Sequence, residues 1–225
     1  MKQFRYLDII TVFFVSVLLI SNIASTKILE LGSFTFDGGT ILFPLSYIFG
    51  DILTEVYGYG RSRRVIWLGF FSAFLMSTVL MIVGALPPAA DWPHQSAYET
   101  ILGLTPRIVI ASLVAYFLGE FVNSYAMARL KIVSKGKFLW VRTIGSTIAG
   151  EFVDTVIFVV IAFWGVFSTD LLITIIISNY IFKTMVEILF TPLTYLIVGF
   201  LKNAEREDYY DYNTSFNPFR MDVGV

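Results

Sequence analysis

Six carboxylates, Asp51, Glu55, Glu120, Glu151, Asp154 and Glu187, stand inside stretches otherwise built of Leu, Ile, Val, Ala and Phe. Lys27 and Lys183 share those stretches, as do the amides Asn22, Asn123 and Asn179. An ionisable side chain costs about 2.5–3.5 kcal/mol at the centre of a lipid-embedded helix. Six acids would cost on the order of 15 kcal/mol, which rivals the whole stability of a domain. They must therefore face an interior or a water-filled cavity. Polar groups also hold membrane helices together, at about 0.6–2 kcal/mol each, and Lys183 with Glu187 has the spacing of an i,i+4 pair. Yet six acids against two internal lysines leave an excess that such contacts do not explain. A pathway for a polar solute or for protons accounts for it.

Spacing places these groups on faces. Tyr47, Asp51 and Glu55 follow one another at i, i+4, i+8, one side of a helix. Ser112, Tyr116, Glu120 and Asn123 with Ser124 form a second stripe. Thr147, Glu151, Asp154 and Phe158 form a third, and Asn179, Lys183 and Glu187 a fourth. Asn22, Ser25 and Thr26 supply a fifth ahead of Lys27. Read by depth, the acids gather toward one side of the bilayer, with Lys27 near the other. Tyr47, Tyr116, Phe121, Phe152 and Phe158 are available to stack on a ring, although among 12 Tyr and 22 Phe most aromatics serve packing.

The elements that carry these stripes follow from hydropathy. Hydrophobic residues make up 56% of the 225-residue chain and charged ones 15%, with a mean hydropathy of +0.75. A water-facing domain carries roughly 25% charged residues. Spans of about 20 apolar residues are expected near 7–27, 40–59, 65–86, 106–128, 143–165 and 173–200, giving an all-α, polytopic six-helix bundle over residues 1–201 and a cytoplasmic tail over 202–225. Continuous apolar runs argue against a barrel, whose strands alternate over ~10 residues. With the N-terminus inside, thirteen of the sixteen Lys and Arg fall on the cytoplasmic side, including Arg61, Arg63, Arg64, Arg129, Lys131, Lys135, Lys137 and Arg142. That bias predicts an N-in, C-in topology. The first span has no Ala-x-Ala cleavage site and is expected to stay as an anchor. The third span, free of charge from Ile66 to Leu86, reads as peripheral scaffold or as the contact of a homodimer. The tail, charged and tyrosine-rich, is expected to be partly disordered and receives no function.

Several classes are disfavoured. With no cysteine, the chain has no disulfide, thiolate metal site or Cys nucleophile. Its one histidine, His94, lies in a polar loop and reads as solvated. No Gly-x-x-x-x-Gly-Lys-Ser/Thr loop occurs, so transport is secondary or facilitative unless a partner ATPase drives it. A net charge of −1 gives no reason to expect nucleic acid. The competing class is an intramembrane enzyme in which Asp51/Glu55 or Glu151/Asp154 hold a divalent metal, but no nucleophile stands beside a base. No catalytic residue, cofactor or metal is assigned.

One internal echo stands out. Gly119-Glu120-Phe121-Val122-Asn123-Ser124 returns as Gly150-Glu151-Phe152-Val153-Asp154-Thr155. The copies fall on successive antiparallel helices, the arrangement of inverted repeats around a midplane site. Gly50-Asp51 repeats the pairing of a small residue with an acid.

These residues resemble the bacterial queuosine precursor transporters, also known as vitamin uptake transporters. The resemblance covers nearly all of residues 8–200. It rests on Phe43-Pro44-Leu45-Ser46-Tyr47, on Gly50-Asp51-Ile52-Leu53-Thr54-Glu55-Val56-Tyr57-Gly58 with Arg63-Arg64, and on Arg107, Ser112, Tyr116 and Gly119. Trp140-Val141-Arg142, Ser146-Thr147, Asp154-Thr155, Phe158, Tyr180 and Phe182-Lys183 complete it. The family pattern carries Gln or Asn where Glu120 and Glu151 stand, and Asp where Asn123 stands. The resemblance implies uptake of 7-cyano- or 7-aminomethyl-7-deazaguanine across the bacterial inner membrane by a multi-pass carrier. A guanine-like edge presents neighbouring N–H donors to a carboxylate, and an aminomethyl group needs a second acid. The expected substrate contacts are Asn22, Tyr47, Asp51, Glu55, Tyr116, Glu120, Asn123, Glu151, Asp154, Asn179, Lys183 and Glu187.

Overall fold

A computed structural model describes residues 4–24, 27–31, 34–103, 106–165, 168–212 and 214–220. Seven α-helices are present among them: α1 (Leu7–Ala24), α2 (Phe43–Tyr57), α3 (Tyr59–Ala85), α4 (Gln95–Leu102), α5 (Pro106–Val133), α6 (Leu139–Phe163) and α7 (Thr169–Glu205). Six of them coincide with the six expected apolar runs. Five, α1, α3, α5, α6 and α7, contain stretches long and apolar enough to cross a membrane. The fifteen residues of α2 reach only about 22 Å at 1.5 Å per residue, short of a ~30 Å hydrocarbon core.

The purely helical expectation needs one correction. Strands β1 (Ile28–Leu31) and β2 (Phe34–Asp37) pair antiparallel, Ile28 opposite Asp37 and Leu31 opposite Phe34. A 3-10 turn, Gly38–Ile41, leads from the hairpin into α2. Elements this short carry no 3.6-residue period and are hidden by hydropathy.

Between α2 and α3 the chain reverses at a single residue. Gly58 has φ 85° and ψ 161°, a conformation that a side chain disfavours. The Tyr209 ring also occupies the space that a Cβ there would need. Helices α5 and α6 form the most extensive pairing, with α7 beside α6 and α2 reaching across to α5 and α7. Helix α3 packs on α1, α2 and α5 through Trp67 and Phe70, which meet Phe117 and Phe121, while Phe71, Phe74 and Ile82 on its other side are exposed. An exposed apolar face of this kind is common to both readings, a peripheral scaffold and the contact of a homodimer.

The tail departs from the loose appendage expected. It folds back along one end of the bundle. Tyr209 N–H donates to the Val56 carbonyl, and both Asp211 oxygens accept the Tyr59 N–H at 3.1 Å. Arg63 donates to the Ser215 and Asn217 carbonyls, and Trp67 Nε1 to that of Pro218. At the end of α7, Glu205 accepts the Arg5 and Tyr6 N–H groups and the Tyr57 hydroxyl. The N-terminal segment, the α2–α3 turn and the C-terminal segment therefore share one end of the molecule.

Candidate functional site

The inward stripes of α2, α5, α6 and α7 meet where α5 crosses α6. At that crossing the two echoed segments pack against each other reciprocally. A Cβ on Gly119 would lie 2.9 Å from the Gly150 carbonyl oxygen and 2.7 Å from Asp154 Cβ. A Cβ on Gly150 would lie 2.8 Å from the Gly119 carbonyl oxygen and 2.8 Å from Asn123 Cβ. Each glycine thus meets its counterpart and the residue four beyond it, so the echo corresponds to a local two-fold relation. Tyr47 of α2 lies against both glycines, and Gly50 leaves the space that Glu120 fills. Bare helix surface lets the backbones approach closely here.

Around this crossing stand Asp51, Glu120, Asn123, Glu151, Asp154, Lys183 and Glu187, none more than 9% exposed. Asn123 Nδ2 donates to Asp51 Oδ1 at 2.9 Å, and Ser146 Oγ donates to the same oxygen at 3.3 Å. Lys183 Nζ bonds Asp154 Oδ2 at 2.6 Å and pairs with Glu151 Oε2 at 3.0 Å. Ser124 Oγ donates weakly to Glu120 Oε1 at 3.5 Å. Tyr47 and Tyr116 meet edge to face, with ring centroids 6.2 Å apart.

Many buried oxygens here have no hydrogen-bond partner among the described residues. They are Asp51 Oδ2, Glu120 Oε2, Asn123 Oδ1, Glu151 Oε1 and both oxygens of Glu187, with the hydroxyls of Tyr47, Thr147 and Thr155. Leaving such a group unbonded costs about 1–3 kcal/mol. The surplus is of acceptors, and it suits a ligand rich in N–H donors.

Not every expected residue joins this group. Glu55, one turn along α2 from Asp51, lies in a separate ionic cluster. Arg142 bonds its Oε2, Lys202 reaches its Oε1 at 2.5 Å, and Lys131 lies 3.5 Å away. Asp208 of the tail bridges Lys131 at 2.6 Å and Lys202 at 2.8 Å. Asn22 donates back to the Leu18 carbonyl of its own helix, and Asn179 is half-buried one turn before Lys183. Ser25 and Thr26 lie outside the described residues. Among the aromatics, Phe121 packs into the Trp67–Phe117 group and Phe152 is 55% exposed against Tyr180. Neither lines the site. Sequence reading missed Ser146, Thr155 and the ionic role of Lys131 and Lys202. The first two sit at the spacing of the α6 stripe, which was the available signal.

The family described as "Putative vitamin uptake transporter" matches residues 37–197, a span that includes every member of the acceptor-rich group. A Bacillus subtilis (strain 168) protein named "Probable queuosine precursor transporter" is 31% identical over 187 residues, covering 83% of this chain and 82% of the relative. The "Queuosine precursor transporter" of Escherichia coli (strain K12) is 26% identical over 192 residues, 84% of each chain. A "Probable queuosine precursor transporter" of Haemophilus influenzae is 26% identical over 164 residues, covering 71% of this chain and 67% of the relative. No solved structure matches the chain.

Proposed function

The chain belongs to the vitamin uptake transporter family, and on that premise we propose that it carries queuosine precursors, 7-cyano- or 7-aminomethyl-7-deazaguanine, inward across the bacterial inner membrane. The observation that carries this reading is the surplus of buried acceptors on Asp51, Glu120, Asn123 and Glu151 around the α5–α6 crossing. A deazaguanine base brings a ring N–H, a 2-amino group and a pyrrole N–H, three donor positions within one plane. Carboxylates at Asp51, Glu120 and Glu151 supply matching acceptors, and the Asn123 amide can serve the carbonyl edge. Tyr47 and Tyr116 give a wall for the ring. Lys183 holds Asp154 and Glu151 in place. Glu55 and Asn22 fall outside this set, being engaged with cations and with backbone.

The topology proposed is six crossings, N-in and C-in, with α2 as the short one. Support comes from the N-terminal segment and the C-terminal tail lying at one end of the bundle, alongside Arg61, Arg63, Lys131 and Arg142. The protein acts as a carrier rather than an enzyme. Asp51 and Glu55 do not converge as a metal pair, because Glu55 faces Lys131, Arg142 and Lys202.

Uptake of labelled deazaguanine base is the test, in cells that lack their own transporter. Expression of this chain should confer uptake, and Asp154→Ala should abolish it. Unchanged uptake in that variant removes Asp154 from the site, and no uptake by the wild type defeats the substrate assignment.

A further inference from the structure

Glu187 stands apart from the other buried acids. Its side chain is enclosed, the residue being 1% exposed, and neither carboxylate oxygen has a hydrogen-bond partner among the described residues. Among the described residues, acids on three other helices act on it electrostatically: Glu151 of α6, Asp51 of α2 and Glu120 of α5. Lys183, one turn back on α7, is drawn to Asp154 and Glu151. An ionised Glu187 would thus add an unpaired charge to an interior already rich in acid, at a cost of several kcal/mol. A bound proton removes that charge.

The surrounding backbone decides which cation suits the position. Sodium sites in carriers draw on carbonyls of unwound helices, whereas α6 and α7 run unbroken through this region. Pro192 inside α7 frees one carbonyl, that of Ile188, which alone is too few oxygens to encircle a sodium ion. Thr191 Oγ1 donates at 2.9 Å to the Glu187 carbonyl, a back-bond that favours bending. Glu187 therefore sits on the turn where α7 can hinge.

We propose that Glu187 is the proton-coupling group of the carrier. One proton enters from the outer solution onto a Glu187 carboxylate oxygen as base is bound. It leaves to the cytoplasm after the base is released, returning the carboxylate. The step rests on the transport reading above, but it assigns Glu187 to the driving ion rather than to the base.

The test uses the purified full chain in liposomes with the membrane potential clamped and the uncharged 7-cyano-7-deazaguanine as probe. An imposed gradient of one pH unit, acid outside, should give about tenfold accumulation with the wild type, since one pH unit on one proton is 1.36 kcal/mol. Glu187→Gln should accumulate nothing above equilibrium yet retain base binding and base–base exchange, and Glu187→Asp should restore coupling. Loss of binding in Glu187→Gln would make the residue a substrate contact and overturn the proposal. Accumulation by the wild type that follows a sodium gradient, or no gradient, would overturn it as well. A second readout needs no substrate: one component of the infrared carbonyl band of protonated carboxylic acids should titrate in the wild type and be missing from Glu187→Gln. Its persistence in the variant counts against Glu187. Failure of the wild type to bind any base defeats the transport reading alone, and the infrared result still decides the proton site.

Discussion

At the scale of single residues, Asp51 and Glu55 show how one helical face can serve two purposes. Both lie on the same stripe of α2, four residues apart, and both are fully buried. Asp51 meets neutral donors, Asn123 and Ser146, and keeps one oxygen unbonded. Glu55 meets Arg142, Lys131 and Lys202. Periodicity reveals which residues face inward, but the partners arrive from other helices, and no spacing within α2 discloses them. The same limit explains Phe121 and Phe152. Their place in the echoed hexapeptide is plain in the sequence, yet the two-fold crossing turns them away from the site. Arg142→Ala leaves a buried carboxylate short of its closest cation and should destabilise the fold by about 3 kcal/mol, the lower end for a broken buried pair because Lys131 and Lys202 remain; thermal unfolding in detergent reads this. Tyr47→Phe removes one hydroxyl facing the site and should weaken base binding about fivefold, the equivalent of ~1 kcal/mol, without lowering thermal stability. Unaltered binding would take the hydroxyl out of the site.

At the scale of elements, the α5–α6 crossing and the C-terminal tail do the positioning. The crossing was legible as a repeated Gly-acid segment, since a small residue beside each carboxylate lets a neighbouring helix approach closely. Gly150→Ala would push a methyl group against the Gly119 carbonyl and Asn123 at 2.8 Å. It should cost about 1–3 kcal/mol by forced separation of the helices and reduce transport more than expression. The tail was not legible, because its contacts are backbone carbonyls, single carboxylates and isolated aromatics with no period. Burial opposes ionisation of Asp208, but its hydrogen bonds and charges with Lys131 and Lys202 outweigh it and hold the carboxyl below its ordinary range. A carboxyl lowered in the folded chain contributes stability above its unfolded value of about 3.9, and that contribution is lost as pH falls through the lower folded value. Hydrogen exchange of residues 206–220 should therefore stay slow down to about pH 4 and accelerate below it. Asp208→Asn should exchange faster at neutral pH and lack the acid step.

At the scale of the molecule, the helices enclose a polar interior while apolar side chains cover their outer faces. Hydropathy revealed that plan, including the five helices long and apolar enough to cross a membrane and the shorter α2. The β1–β2 hairpin and α4 escaped because each is too short to carry an amphipathic period. The central claim is that the acceptor-rich interior at the α5–α6 crossing holds a deazaguanine base. Equilibrium binding to the purified full chain in lipid nanodiscs tests it most directly. The wild type should bind 7-cyano- or 7-aminomethyl-7-deazaguanine at a single site, and Asp51→Asn with Asp154→Ala should lose that binding while remaining folded. Binding that survives both substitutions, or a wild type that binds neither base, would contradict the account.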